Sequence, residues 1–260
     1  MKPQNKLPRA GRIWLALISF TVLLGVWSAL AYGGLIKELF LPKPHRVIWS
    51  FVEMHAEGIL WSYTWDSVYR VMVGWSLAVL VAVPLGLFLA TSRRGAAVIT
   101  PLIEFARYLP VVALVPLTLL YFGIGDGQKF AIIFLGTFFQ LVLMVTDSVA
   151  AVPRDLCRAA ATLGAGRAQI YRLVLMPAAL PGIMDNLRIT VGWAWTYLVV
   201  AELVAANSGL GYMILRAQRF LAIERIFAGL IIIGLLGLLT DWLFKILTRL
   251  CVPWSEKVGT

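Results

Sequence analysis

Glu202 is the one acid deep within an apolar run of this chain, Ile189–Ala206, and Arg216, Arg219 and Arg225 follow it closely. A charge inside a membrane-length apolar segment is costly, so it marks a functional site or is paired. Three readings suit Glu202: a substrate-pathway residue, a buried partner of Arg188 or Arg70, or a residue near the outer interface. The arginines suit electrostatic attraction of an anion or of an acidic protein surface. Bond-making chemistry has little to build on. Gly123-Ile124-Gly125-Asp126-Gly127 invites comparison with a phosphate-binding loop, but that motif is GxxxxGK[ST]. Here Gln128 stands at the second glycine and Phe130 follows Lys129. The sequence has no Ser/His/Asp set, no HExxH and no paired cysteines, and His45 and His55 lie ten apart without a cysteine nearby. The expectation is therefore no catalytic residue, no metal, no cofactor and no ATP hydrolysis by this chain.

A second candidate is the basic segment 154–181, which separates two long apolar runs. Asp155–Leu163 reads as a short helix with Ala159, Ala160 and Ala161 at its middle. Gly164 suits its C-terminal cap, because glycine accepts the left-handed conformation required there. Gly166 allows a second reversal, and Arg167–Met176 reads as another helix that Pro177 and Pro181 end. Small alanines let a partner surface approach the helix backbone, and the arginines add charged contacts around it. That shape suits insertion into a cleft. A solvated connector and a helix-turn-helix DNA reader are the competing readings, and the aliphatic second helix argues against the latter.

The elements that must position these residues span a membrane. The 260 residues are 60% hydrophobic and 14% charged, with mean hydropathy +0.85, against about 25% charged in soluble domains. Runs of about 20 apolar residues cross a bilayer. Ile13–Tyr32, Val71–Ala90, Tyr108–Ile124, Phe130–Thr146, Ile189–Ala206 and Ile226–Phe244 qualify, the last if Asp241 lies near its end. The fold class is all-α, a polytopic membrane protein of about six transmembrane helices with a cytosolic loop. Pro110 and Pro116 should kink or break the third helix, since proline removes a helical hydrogen bond. Broken backbone is tolerated in a membrane where it is buried in protein or lines a wet cavity; a packing kink is the alternative.

Basic residues collect on the cytoplasmic side of membrane proteins. With the N-terminus inside, 14 of the 23 lysines and arginines are cytoplasmic, among them Lys2, Lys6, Arg9, Arg12, Arg93, Arg94 and Lys257. Arg70 and Arg107 fall at helix starts. Both termini are then cytoplasmic, and the net charge of +10 reports topology rather than nucleic-acid binding. Ala29-Leu30-Ala31 resembles a signal-cleavage site, but the long apolar stretch with Trp14 and Trp27 favours an uncleaved first helix. Cys157 and Cys251 fall on the cytosolic side as free thiols. Leu41-Pro42-Lys43-Pro44 interrupts helix, and His45–His55 has the spacing of an amphipathic interfacial helix. Trp49, Trp61 and Trp65 suit the aromatic belt. Three regions result: 1–65 with the first span and outer segment, a core 66–250 with the loop 154–181, and a tail 251–260.

Arg158-Ala159-Ala160-x-x-x-Gly164, then nine residues, then Val174-x-Met176-Pro177, resembles the "EAA" loop of ABC importer permeases. That loop reads EAA, three residues, Gly, nine residues, I-x-L-P; Arg158 replaces the glutamate. The resemblance extends over 41–250. Its carriers are Leu41-Pro42-x-Pro44, Ser67–Gly86, Arg107-x-Leu109-Pro110-x-x-Ala113-x-x-Pro116-Leu117, Phe122-Gly123-Ile124-Gly125, Ala201-Glu202 and Gly209-Leu210-Gly211-Tyr212. Together they are similar to the nitrate/sulfonate/taurine/bicarbonate branch. The resemblance implies import of a small anion by alternating access across a bacterial inner membrane. It also implies two permease copies in membrane lipid, cytosolic ATPase subunits, and a periplasmic or surface-anchored substrate-binding protein. Arg158, Ala159, Ala160, Gly164, Arg167 and Pro177 would receive the ATPase, while Pro110, Pro116, Glu202, Arg216 and Arg219 would border the substrate pathway. An ATPase-independent secondary transporter or channel is the alternative, for which a mirrored pair of broken helices would speak; only the third helix carries such an interruption.

Overall fold

Apolar helices account for nearly all of the computed structural model, which describes residues 9–254. Lys2, Lys6, Lys257 and most of the tail 251–260 lie outside the described residues. The elements are α1 (Arg9–Tyr32), α2 (Pro44–Ala56), α3 (Ile59–Thr91), α4 (Arg93–Arg107), a 3-10 turn (Val111–Leu114), α5 (Val115–Phe122), α6 (Asp126–Ala150) and α7 (Arg154–Thr162). There follow α8 (Arg167–Gln169), a π turn (Ile170–Leu175), α9 (Met176–Ala205), α10 (Leu210–Arg219) and α11 (Ile223–Cys251). Among the described residues five helical segments are long and apolar enough to cross a membrane, or six with the bent α4/α5 pair counted as one span.

The core lies where α3, α6 and α9 meet, with Ala82, Leu141, Val142, Val145 and Ile183 in one buried cluster and Val71, Ile133, Ala194 and Leu198 in another. Glycines bring α3 and α6 together. A Cβ on Gly74 would stand 2.8 Å from Ile133 Cβ, and one on Gly86 would stand 2.8 Å from the Val142 carbonyl oxygen. Lipid gives packed helices no hydrophobic advantage, so close backbone approach of this kind supplies the attraction. Thr146 Oγ1 donates across the same seam to the Gly86 carbonyl, 3.2 Å. Outward-facing Phe20, Leu80, Leu120 and Leu238 are exposed apolar side chains suited to lipid. The first helix joins this bundle through Trp27, whose Nε1 donates to the Pro42 carbonyl (2.9 Å) and whose ring stacks on Phe227.

The third span departs from the expected Tyr108–Ile124 helix. It begins at Arg93, and α4 meets the 111–122 segment at 90°. Pro110 accounts for the break, because proline disfavours helix in the residue before it and cannot donate an amide. Pro116 does not break the helix. It occupies the first turn of α5, where an amide has no helical partner. Arg107 thus ends α4 instead of starting a helix, and Arg70 lies about three turns inside α3.

The fifth span departs further. Pro177 and Pro181 do not stop the preceding helix; Arg167–Val204 is one segment of 38 residues. The chain widens into a π turn, in which the Met176 amide donates to the Tyr171 carbonyl five residues back. Placed on that wider turn, Pro177 falls in the first turn of α9, where proline is tolerated. Pro181 cannot donate to the Pro177 carbonyl, and Trp254 Nε1 does so instead at 3.3 Å. At 1.5 Å per residue the segment is about 57 Å long, well beyond a hydrocarbon core of about 30 Å.

Candidate functional site

α7 has no buried residue, and its C-terminus closes in a double hydrogen-bonded turn. The Gly164 amide donates to the Ala161 carbonyl and the Ala165 amide to the Ala160 carbonyl, each 3.0 Å. Gly164 has φ +83°, the left-handed value expected of it. Gly166 differs from expectation: its φ of −73° and ψ of 165° are extended backbone open to any residue, and its amide donates to Gln169 Oε1. Arg158, Ala159, Gly164 and Arg167 are exposed on this element, Ala160 is half-buried, and Pro177 sits at its base. The Arg158–Asp155 pair (3.2 Å) is solvated and weak. Sequence reasoning passed over Leu163, 88% exposed, and the exposed Leu156 and Leu173.

At the opposite end of the bundle, Glu202 is fully buried and paired with Arg70. Of the readings open for Glu202, the geometry is that of the buried pair with Arg70, and protein donors occupy its carboxylate. Arg70 Nη1 donates to Glu202 Oε1 (2.7 Å), Ser67 Oγ to the same carboxylate (2.9 Å), and the Gly211 amide to Oε2 (2.7 Å). The same guanidinium donates to Asp126 Oδ1 (2.7 Å) and to the Ser208 carbonyl and hydroxyl. One arginine thus ties α3 to the starts of α6 and α10 and the end of α9. Gly209 has φ +107°, and a Cβ there would collide with the Glu202 carboxylate. Arg188 makes different partners, Asp185 and Asp241 on α11.

Cavities lie beside these elements among the described residues. One of about 540 Å³ is bordered by Arg216 and Arg219 with Leu119, Leu203 and Phe220. Arg225 does not border this cavity; Glu57 and Glu53 hold it, and it shares a separate cavity of about 500 Å³ with them and Arg216. Another, also about 500 Å³, sits in the bend between α4 and α5. Pro110 borders it; Pro116 does not. Its remaining walls include Arg107, which the sequence marked only as a helix start and as part of the family resemblance, and Gln140, Trp193, Thr196 and Tyr197, which sequence reasoning did not single out. The signal available was Arg107 three residues before the Pro110 break.

Comparison with known proteins agrees with this layout. The family described as "Binding-protein-dependent transport system inner membrane component" matches residues 82–251. The taurine transport system permease protein TauC of Escherichia coli K12 is 35% identical over 256 residues, spanning 96% of this chain and 93% of that one. The putative aliphatic sulfonates transport permease protein SsuC of Bacillus subtilis 168 is 32% identical over 245 residues, spanning 94% and 89%. Among solved structures, the inward-facing MetNI methionine ABC transporter superposes with a TM-score of 0.64 over 75% of this chain and 96% of its own. At 21% identity that likeness establishes the fold. The chain belongs to the inner-membrane components of binding-protein-dependent transport systems, the multi-pass permease subunits of ABC importers.

Proposed function

We propose that this permease passes a small organic sulfonate, of the taurine or short alkanesulfonate kind, through the cavities at the α10 mouth and the α4/α5 bend. The observation that carries the mechanism is the continuity of Arg167–Val204. A push on α7 travels through the π turn into α9, whose Trp193, Thr196 and Tyr197 border the inner cavity and whose Glu202 anchors the far end. Packed helical interfaces switch between discrete arrangements, so such a push becomes a change of access. Loop 154–181 receives a cytosolic ATPase, with Ala159, Ala160, Leu163 and Arg167 facing it. A substrate-binding protein delivers to the Arg216 and Arg219 mouth. The permease works as two copies of this chain with both termini cytoplasmic, a topology supported by Arg93, Arg94 and the arginines of the loop. Relatives named for taurine and aliphatic sulfonates support the substrate class.

Uptake of radiolabelled taurine by proteoliposomes holding this chain, its ATPase and its binding protein tests the reading. Uptake that needs ATP and is blocked by vanadate supports it; uptake by the chain alone, insensitive to vanadate, would replace it with a secondary transporter. Reversing both Arg216 and Arg219 to glutamate should raise the apparent KM about tenfold, the scale on which steering charges act. The effect should shrink as ionic strength rises. An unchanged salt-dependent uptake curve rules out the basic mouth.

A further inference from the structure

We infer that Arg107 is the anion-coordinating residue of a substrate subsite halfway across the membrane, a conclusion that rests on the sulfonate reading above. Depth is the first observation. The α6 residues that border the inner cavity are Leu135, Gly136, Phe139 and Gln140, and α6 runs from Asp126 to Ala150. Each of these residues is therefore about 14–22 Å along the helix from either end. The cavity opens at mid-span, where the Pro110 break has turned the end of α4 toward it.

Charge is the second. Three other arginines of the spanning helices have carboxylate partners: Arg70 has Glu202 and Asp126, Arg188 has Asp185 and Asp241, and Arg225 has Glu57. Arg93, Arg94, Arg167, Arg172 and Arg249 have none among the described residues, but they lie towards the ends of their helical segments. Arg107 has no ion pair among the described residues. Its partner is its own neighbour, with Nη2 donating to the Tyr108 hydroxyl at 2.9 Å and the guanidinium carbon 4.8 Å from the ring centroid. An unpaired cation at membrane depth is costly, and such residues mark ion and substrate paths. The tyrosine satisfies one donor and leaves the guanidinium fork able to take two oxygens of a sulfonate, the bidentate geometry that suits arginine better than lysine.

The lining is the third. No carboxylate borders this cavity, so nothing within it neutralises Arg107. Gln140 and Thr196 offer neutral donors, while Phe139, Trp193 and Tyr197 offer apolar surface to a short carbon chain. One cation, a few neutral donors and aromatic walls make a site for a monovalent organic oxyanion. Tyr197 lies close against α6, where a Cβ on Gly136 would overlap its ring. Because Trp193, Thr196 and Tyr197 ride on α9 and Arg107 on α4, a stroke along α9 separates the two halves of the subsite. The anion is then released as the cavity changes its opening.

The test is uptake of radiolabelled taurine and of butanesulfonate by Arg107→Gln and Arg107→Lys permeases, reconstituted with the ATPase and binding protein. Butanesulfonate carries no ammonium, so it reports the anion alone. Arg107→Gln should lower the uptake of both at least tenfold while ATP hydrolysis by the assembled complex persists, and Arg107→Lys should restore part of it. Unchanged KM and rate in Arg107→Gln overturn the assignment. Parallel loss of uptake, hydrolysis and complex assembly also overturns it, in favour of a structural role. Failure of the unaltered complex to carry either sulfonate overturns the substrate reading itself, which separates that failure from the failure of Arg107.

Discussion

Replacing Arg70 with methionine is expected to destabilise the permease by about 3–5 kcal/mol, the cost of leaving one member of a buried ion pair without its partner. Glu202 has no exposed surface and sits among α3, α9 and α10. Ser67 Oγ and the Gly211 amide would still bond its carboxylate, but no countercharge would remain in direct contact with it. Asp126 is 44% exposed, so its loss of Arg70 matters less. Thermal unfolding of the detergent-solubilised protein should show a midpoint well below that of the unaltered chain. The double variant Arg70→Met with Glu202→Gln should recover much of the loss, because it removes both charges and keeps an acceptor for Ser67 and Gly211. A double variant as unstable as Arg70→Met alone would mean that the ion pair is not what holds this end of the bundle.

Gly164→Val should separate ATP hydrolysis from uptake while leaving membrane insertion intact. A Cβ at this position would meet nothing within 4 Å, so the substitution acts through the backbone alone. The left-handed conformation at φ +83° costs an L-residue roughly 1–2 kcal/mol, and a β-branched one is a poorer occupant still. With no buried residue in α7 to resist, that cost is enough to open the turn and swing α7 away from α8. The ATPase would then cycle against a loop that no longer holds its angle. Gly164→Asn is the control, since asparagine enters the left-handed region readily, and it should keep most of the uptake. Normal transport by Gly164→Val, measured as taurine accumulated per ATP hydrolysed, contradicts a fixed angle at this turn.

Much of this was open to reading from residue order, and what was hidden has physical reasons. Apolar run length located the spans because the bilayer sets a minimum length. It missed the membrane role of α4, whose Arg93, Arg94, Glu104 and Arg107 lower the mean hydropathy of an amphipathic helix. The αL cap at Gly164 was legible because glycine after an alanine-rich turn has one common use. Pro177 and Pro181 misled, because a proline stops a regular α-helix but is absorbed when a π turn precedes it and Trp254 serves the freed carbonyl. Arg70 was among the named partners of Glu202, but choosing it over Arg188 required knowing that the far ends of α3 and α9 meet. Arg107 was named as a helix start and in the resemblance but not as a site residue, because its meaning depends on the partner it lacks, and a sequence does not display that.

In the proposed mechanism a rigid connection joins the ATPase-facing loop to the helix that borders the inner cavity. Inserting Gly-Ser-Gly between Leu175 and Met176 would leave α7, its turn and the cavity walls unchanged while breaking that connection. The decisive measurement is the ratio of taurine accumulated to ATP hydrolysed in proteoliposomes holding the inserted permease, its ATPase and its binding protein. The predicted result is hydrolysis that continues with uptake reduced at least tenfold. A ratio equal to that of the unaltered permease would contradict the lever.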